Sequence, residues 1–225
     1  MVNVIATNKY IEFVQPLVDS LDKYFLIDHK LTVNVFSDSK GIKGTERVSI
    51  IEHAIPAYKF PEATLLRYHI MTSITYDTDY IFYLDADMLI NDFVGEEILG
   101  DLVAVRHPGY FHGGGSWEDN PKSEACVTNR TKYFAGGFQG GESFSYLTAM
   151  RFMRVLIDND QKNGITPIWH DESIWNKYLL DYVGKWHELN PSFCMPEAWP
   201  KRVYSKVHDL PAKILAREKD FNYYR

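Results

Sequence analysis

The sequence predicts a single-domain α/β fold across residues 1–225, with a mixed, mostly parallel sheet flanked by helices. Two observations carry that prediction. Strand-like segments alternate with segments of helical periodicity along most of the chain. One strand, Tyr80-Ile81-Phe82-Tyr83-Leu84, is apolar without a break, as strands covered on both faces are, and it runs directly into Asp85-Ala86-Asp87. A chain of 225 residues can bury a substantial core and still form one domain.

Val2 to Ala6 reads as the first strand, and Ile11 to Phe25 places Phe13, Leu17, Leu21 and Tyr24 at helical spacing. Leu31 to Ser37 alternates as a strand does, Arg47 to Ile51 is a second short strand, and Glu62 to Thr75 is a helix with Leu66, Ile70 and Ile74 on one face. Leu102 to Arg106 follows as a strand. His107 to Thr131, rich in Gly, Pro and polar residues, is a long loop of the kind that is usually functional or mobile. Glu142 to Lys162 and Asp171 to Leu180 are helices, and regular structure fades after Pro191. The tail from about Ala212 is expected to be mobile until a ligand orders it.

Composition limits the partners. A formal net charge of −6 argues against nucleic acid and anionic membrane. Fifteen Tyr and 13 Phe suit stacking surfaces as well as an ordinary core. Cys126 and Cys194 fit neither a metal spacing nor a disulfide framework and read as free thiols of a reducing compartment. No apolar run reaches the length of a membrane span, and Met1 leads straight into strand-like sequence, so a soluble, cytoplasmic protein is expected. Asn129-Arg130-Thr131 matches a glycosylation acceptor pattern, which carries little weight without a secretory signal.

Three constellations carry chemistry. Asp85 and Asp87 stand at the carboxyl end of a buried strand, where open α/β sheets place ligands; two hard carboxylates there suit magnesium or manganese, or else form a turn. Ala135-Gly136-Gly137-Phe138-Gln139-Gly140-Gly141 allows close backbone approach to a ligand or a tight hairpin, and lacks the order of a dinucleotide or P-loop fingerprint. Trp169-His170-Asp171-Glu172-Ser173 puts two acids where a helix begins; they either cap it or work on a substrate.

Taken with Ile5-Ala6-Thr7-Asn8-Lys9-Tyr10, Val35-Phe36-Ser37-Asp38, His107-Pro108-Gly109-Tyr110-Phe111 and Asn176-Lys177-Tyr178-Leu179, these segments resemble glycosyltransferase family 6 over nearly the whole chain. The resemblance implies the A-type nucleotide-sugar fold and retaining α-1,3 transfer of Gal or GalNAc from a UDP-sugar donor to an oligosaccharide or glycoconjugate acceptor. It implies that Ile5, Ala6 and Tyr10 line a uridine pocket, that Arg67 is a donor-site arginine, and that Asp85 and Asp87 hold the metal, manganese foremost. His107 and Trp169 would meet the acceptor, Asp171 would bind donor-sugar hydroxyls, and Glu172 would lie beneath the anomeric carbon as the catalytic carboxylate and reach the acceptor too. Lys219 and Arg225 would close over the diphosphate.

The resemblance also implies a donor preference: small residues at Ala135, Gly136 and Gly137 leave volume for an acetamido group, as in family members that prefer GalNAc, so UDP-GalNAc is expected first and UDP-Gal second. Trp117-Glu118-Asp119-Asn120 departs from the Tyr-Glu-Arg-Arg-like run of many members, and animal members carry a membrane stem that is not seen here, which suggests a microbial or viral enzyme. Glu172 would act as a nucleophile or as an electrostatic stabiliser; the sequence leaves both open. The rival readings are a metal-dependent nucleotidyl or phosphoryl transferase and a non-catalytic sugar-binding module.

Overall fold

A computed structural model describes residues 1–183, 185–198 and 207–224. The main sheet has seven strands in the order β3-β2-β1-β4-β7-β6-β8. These are β1 (Val2–Ile5), β2 (Leu31–Ser37), β3 (Val48–Ala54), β4 (Tyr80–Leu84), β6 (Val103–Arg106), β7 (Phe134–Glu142) and β8 (His187–Leu189). β3, β2, β1 and β4 run parallel, as do β6 and β8; β7 is antiparallel to both of its neighbours.

The unbroken apolar run of β4 has a simple cause. Phe82 and Leu84 point into one core and Ile81 and Tyr83 into the other, so neither face of the strand meets water. Helix α1 (Ile11–Tyr24) covers the first face with Val14, Leu17, Val18 and Leu21. The second face is covered by α3 (Arg67–Met71), α4 (Ser143–Lys162) and α5 (His170–Lys177), whose Tyr68, Met150, Met153 and Trp175 are fully buried.

The structure departs from the sequence expectations in four places. The helix expected over 62–75 is two short pieces, α2 (Glu62–Leu65) and α3, separated at Leu66, whose φ of −85° and ψ of 5° interrupt the helix. The glycine-rich segment is not a hairpin: it is β7, an interior strand of the sheet, where pairing on both edges overrides the poor strand propensity of glycine. Helix α5 widens after Lys177 into a π-helical turn, Tyr178–Val183. Regular structure does not fade after Pro191: β10 (Ile214–Ala216) pairs with β5 (Met88–Ile90) and β9 (Met195–Pro196) in a second, three-stranded sheet. Beyond Ala216 the tail includes the short helix α6 (Phe221–Tyr224). No helix among the described residues is long and apolar enough to cross a membrane.

Candidate active site

The carboxyl end of β4 delivers Asp85, and the β5 strand that follows holds Asp87 beside it. Asp85 N–H donates to the Gly137 carbonyl at 2.9 Å, which ties the acid to β7. Its Oδ1 accepts from the Tyr83 hydroxyl and from Arg67 Nη2, each at 2.7 Å. Arg67, 2 % exposed, is the hub: Nη1 donates to the Gly136 carbonyl at 2.7 Å and lies 2.7 Å from Asp171 Oδ2 as a charge contact rather than a directed hydrogen bond. Its guanidinium also covers the Tyr83 ring at 3.9 Å. Burial alone would weaken its charge, but Asp171, Tyr83 and Asp85 outweigh that and hold it firmly protonated.

Asp87 is buried and ion-pairs with Lys219, whose Arg217 neighbour donates its backbone N–H to the Asp87 carbonyl at 2.9 Å. Burial and the Asp85 charge raise the Asp87 pKa, with Lys219 opposing. Asp171 begins α5 behind His170, whose φ of 51° is a left-handed conformation costly for a side-chain-bearing residue and common at functional sites. Burial, together with the charges of Asp85 and Glu172, pushes the Asp171 carboxyl up to about 7 against the pull of Arg67.

Glu172 Oε1 accepts from the Tyr133 hydroxyl at 2.7 Å, and Oε2 from the Gly136 N–H at 2.8 Å. Asn176, fully buried one turn on, accepts from Phe134 N–H at 2.8 Å and donates to the Phe134 and Glu172 carbonyls at 2.8 and 2.9 Å, fastening α5 to the start of β7. Neither Tyr133 nor Asn176 was given a role from the sequence. The signal was that both stand within segments that carry the family resemblance, Tyr133 just before the glycine-rich run and Asn176 at the head of Asn176-Lys177-Tyr178-Leu179.

Two clefts meet at Asp85. The larger, about 400 Å³, is lined by Ile5, Tyr10, Tyr58, Asp87, Lys219 and the tail residues Tyr223 and Tyr224. The smaller, about 190 Å³, is lined by Arg67, Gly136, Gly137, Trp169, Asp171 and Glu172. Tyr224 lies edge-on to Tyr10 at 5.4 Å, a wall the sequence did not reveal. Trp169 is half exposed at the mouth, its Nε1 donating to Ser116 Oγ at 2.6 Å.

Three expected residues stand back from both clefts. Ala6 and Ala135 are buried in the core. His107 accepts the Gly109 N–H on Nδ1 at 3.1 Å and packs against Tyr133; burial lowers its pKa, with Glu172 opposing. Arg225 lies outside the described residues.

A sheet whose central strand ends in paired acids, at the junction of a nucleotide-sized cleft and a smaller acid-lined one, has the architecture of the A-type glycosyltransferase fold. The chain belongs to glycosyltransferase family 6, which it matches over residues 1–225. It is 28 % identical over 215 residues to histo-blood group ABO system transferase 1 of Rattus norvegicus, covering 88 % of this chain and 62 % of that protein. It is 28 % identical over 194 residues to globoside alpha-1,3-N-acetylgalactosaminyltransferase 1 of Homo sapiens, covering 80 % of this chain and 56 % of that one. Against the O-antigen biosynthesis glycosyltransferase WbnI of Escherichia coli, identity is 26 % over 227 residues, covering 96 % and 93 %. The chain thus spans less than two thirds of the length of these two mammalian relatives and nearly all of the bacterial one's.

Proposed function

We propose that this chain transfers GalNAc from UDP-GalNAc to a galactoside acceptor, forming an α-1,3 linkage with retention of anomeric configuration, with UDP-Gal as second donor. The observation that carries the reading is the Glu172 carboxylate, held by Tyr133 and Gly136 in the smaller cleft that joins the larger one at Asp85. A nucleotide in the larger cleft against Tyr10 would bring its diphosphate to Asp85 and Asp87 and its sugar to Asp171 and Glu172. Trp169 would offer its apolar face to an acceptor ring. GalNAc is placed first because relatives named for N-acetylgalactosaminyl transfer stand among the similar proteins.

Asp85 and Asp87 would hold a divalent cation, manganese in first place. The chemistry of the site fits one: among the described residues the carboxylates of Asp85, Asp87, Asp171 and Glu172 have Arg67 and Lys219 as ion-pair partners, an excess of acid that a divalent cation would offset. Among the described residues no group of three His, Cys, Asp or Glu gathers to complete a shell, so water and the diphosphate would supply the remaining ligands. When bound, the metal neutralises the leaving diphosphate. Glu172 places negative charge where the donor sugar becomes positive, and Arg67 keeps Asp85 and Asp171 in register with it.

The test is incubation with UDP-GalNAc or UDP-Gal, with and without manganese, against fucosylated and unfucosylated galactosides. GalNAc transfer with an α-linked product is expected, abolished by chelator and restored by manganese. Donor binding without turnover under every divalent metal would end the transferase reading. Full activity in excess chelator would remove the metal alone, and tenfold better use of UDP-Gal would exchange the donors.

A further inference from the structure

We infer that Tyr133 is a positioning residue for Glu172: its phenol fixes the orientation of the carboxylate that faces the donor sugar, from a cage that holds the phenol itself in place. The inference rests on the transfer reading of Glu172.

Tyr133 immediately precedes β7 and is 1 % exposed. Tyr110, His107 and Trp117 surround its ring, with centroids at 5.1, 5.6 and 5.9 Å. Its carbonyl accepts from the His107 N–H at 3.0 Å, so backbone and ring are both held. The receiving side is tied to the same point, because the Asn176 amide bonds the Phe134 backbone next door and the Glu172 carbonyl.

Among the described residues the Tyr133 hydroxyl donates to Glu172 Oε1 and the Gly136 N–H to Oε2, and rotation of the carboxylate would break both bonds. Burial beside Glu172 pushes the Tyr133 phenol far up, so it remains a neutral donor. A bond from a neutral donor to an ionised acceptor is among the stronger kinds. A tyrosine buried only for packing would also seek an acceptor, and the two roles separate in kinetics.

The experiment compares wild type, Tyr133→Phe, and a protein carrying a ring-fluorinated tyrosine at 133, whose phenol is a stronger donor. For Tyr133→Phe, kcat is expected to fall about ten- to a hundredfold, with UDP affinity by calorimetry within about twofold of wild type. The fluorotyrosine protein should retain near-wild-type kcat. A wild-type kcat in Tyr133→Phe would overturn the inference and leave the transfer reading intact. So would equal losses in both variants accompanied by a lowered melting temperature, since that marks a packing role. If the wild type turns over no sugar donor at all, the transfer reading fails first and this inference falls with it.

Discussion

Arg67 and Asp171 lie 2.7 Å apart with side chains 3 % and 6 % exposed, and the same guanidinium bonds Asp85 through its other nitrogen. One buried cation thus joins the strand end that presents the acid pair to the helix that presents Glu172. Buried partners this close are held by each other, and removal of the cation leaves the Asp171 carboxyl, already pushed up to about 7, without its partner in a poorly solvated place.

Arg67→Ala is therefore expected to cost about 3–5 kcal/mol of stability, and the Arg67→Ala, Asp171→Ala double variant less than the sum of the single losses. Urea denaturation of the four proteins measures it. Arg67→Lys keeps the charge without the planar fork, so it should fold yet bind donor poorly. Additive losses would mean that the two residues act independently.

Glu172→Gln keeps the shape of the side chain and removes its charge. The expected result is a kcat lower by roughly two to four orders of magnitude with donor affinity little changed. If the residue served only the helix N-terminus, the cost would instead be about 0.3–1 kcal/mol of stability with turnover preserved. Steady-state kinetics, calorimetry and thermal melting of one variant decide between them.

The glycines of the smaller cleft are tested by alanine. A Cβ at Gly136 would lie 3.2 Å from Glu172 Cβ and 3.4 Å from its Oε2; one at Gly137 would overlap Met88 Cε and come within 3.1 Å of Asp85 Oδ2. A side chain added at either glycine would therefore meet protein atoms of the site before it met a ligand. Both variants should therefore lose activity about tenfold or more with either donor, through displaced acids, and leave the donor ratio nearly unchanged. A clean switch toward UDP-Gal in Gly137→Ala would instead support a donor choice set by side-chain size.

Truncation separates the two parts of the tail. Ending the chain at Arg217 keeps β10, with Ala216 paired to Met88 and Pro196, and removes Lys219, Tyr223 and Tyr224 from the larger cleft. The shortened protein should melt like the full chain and bind UDP with manganese at least about tenfold more weakly. Wild-type affinity in the truncated chain would leave the tail without a part in binding.

Asp181 governs acid stability far from the clefts. Its carboxylate accepts from Lys177 Nζ at 2.7 Å, Thr128 Oγ1 at 2.9 Å and the N–H groups of Thr128 and Asn129 at 3.0 Å, pinning the end of the long loop. Burial opposes ionisation, but these donors outweigh it and lower the pKa from 3.8 to about 2. A depressed folded-state pKa gives stability that is present above the unfolded value, near 4, and is lost as pH falls through about 2. Asp181→Asn should therefore cost on the order of 2 kcal/mol at neutral pH and converge on wild type near pH 2 in guanidinium melts. A pH-independent gap between the two would assign the loss to geometry instead of charge.

Much of this site is readable before folding, because its carriers are local. The period of α1, the doubly buried run of β4 and the acids that end it lie within single segments, where spacing alone separates helix from strand and strand end from middle. Trp169 to Glu172 stand at the entrance to α5 for the same reason. The tertiary structure alone decides what each of these residues touches. Arg67 reaches a carbonyl 69 positions away, Lys219 reaches a carboxylate 132 positions away, and Tyr133 meets Glu172 across 39. The central place of β7 is likewise set by the edges of β4 and β6, against its own composition. Local pattern encodes which face of an element is buried, whereas a hydrogen bond between distant segments depends on how the whole sheet assembles, and no periodicity in the chain records it.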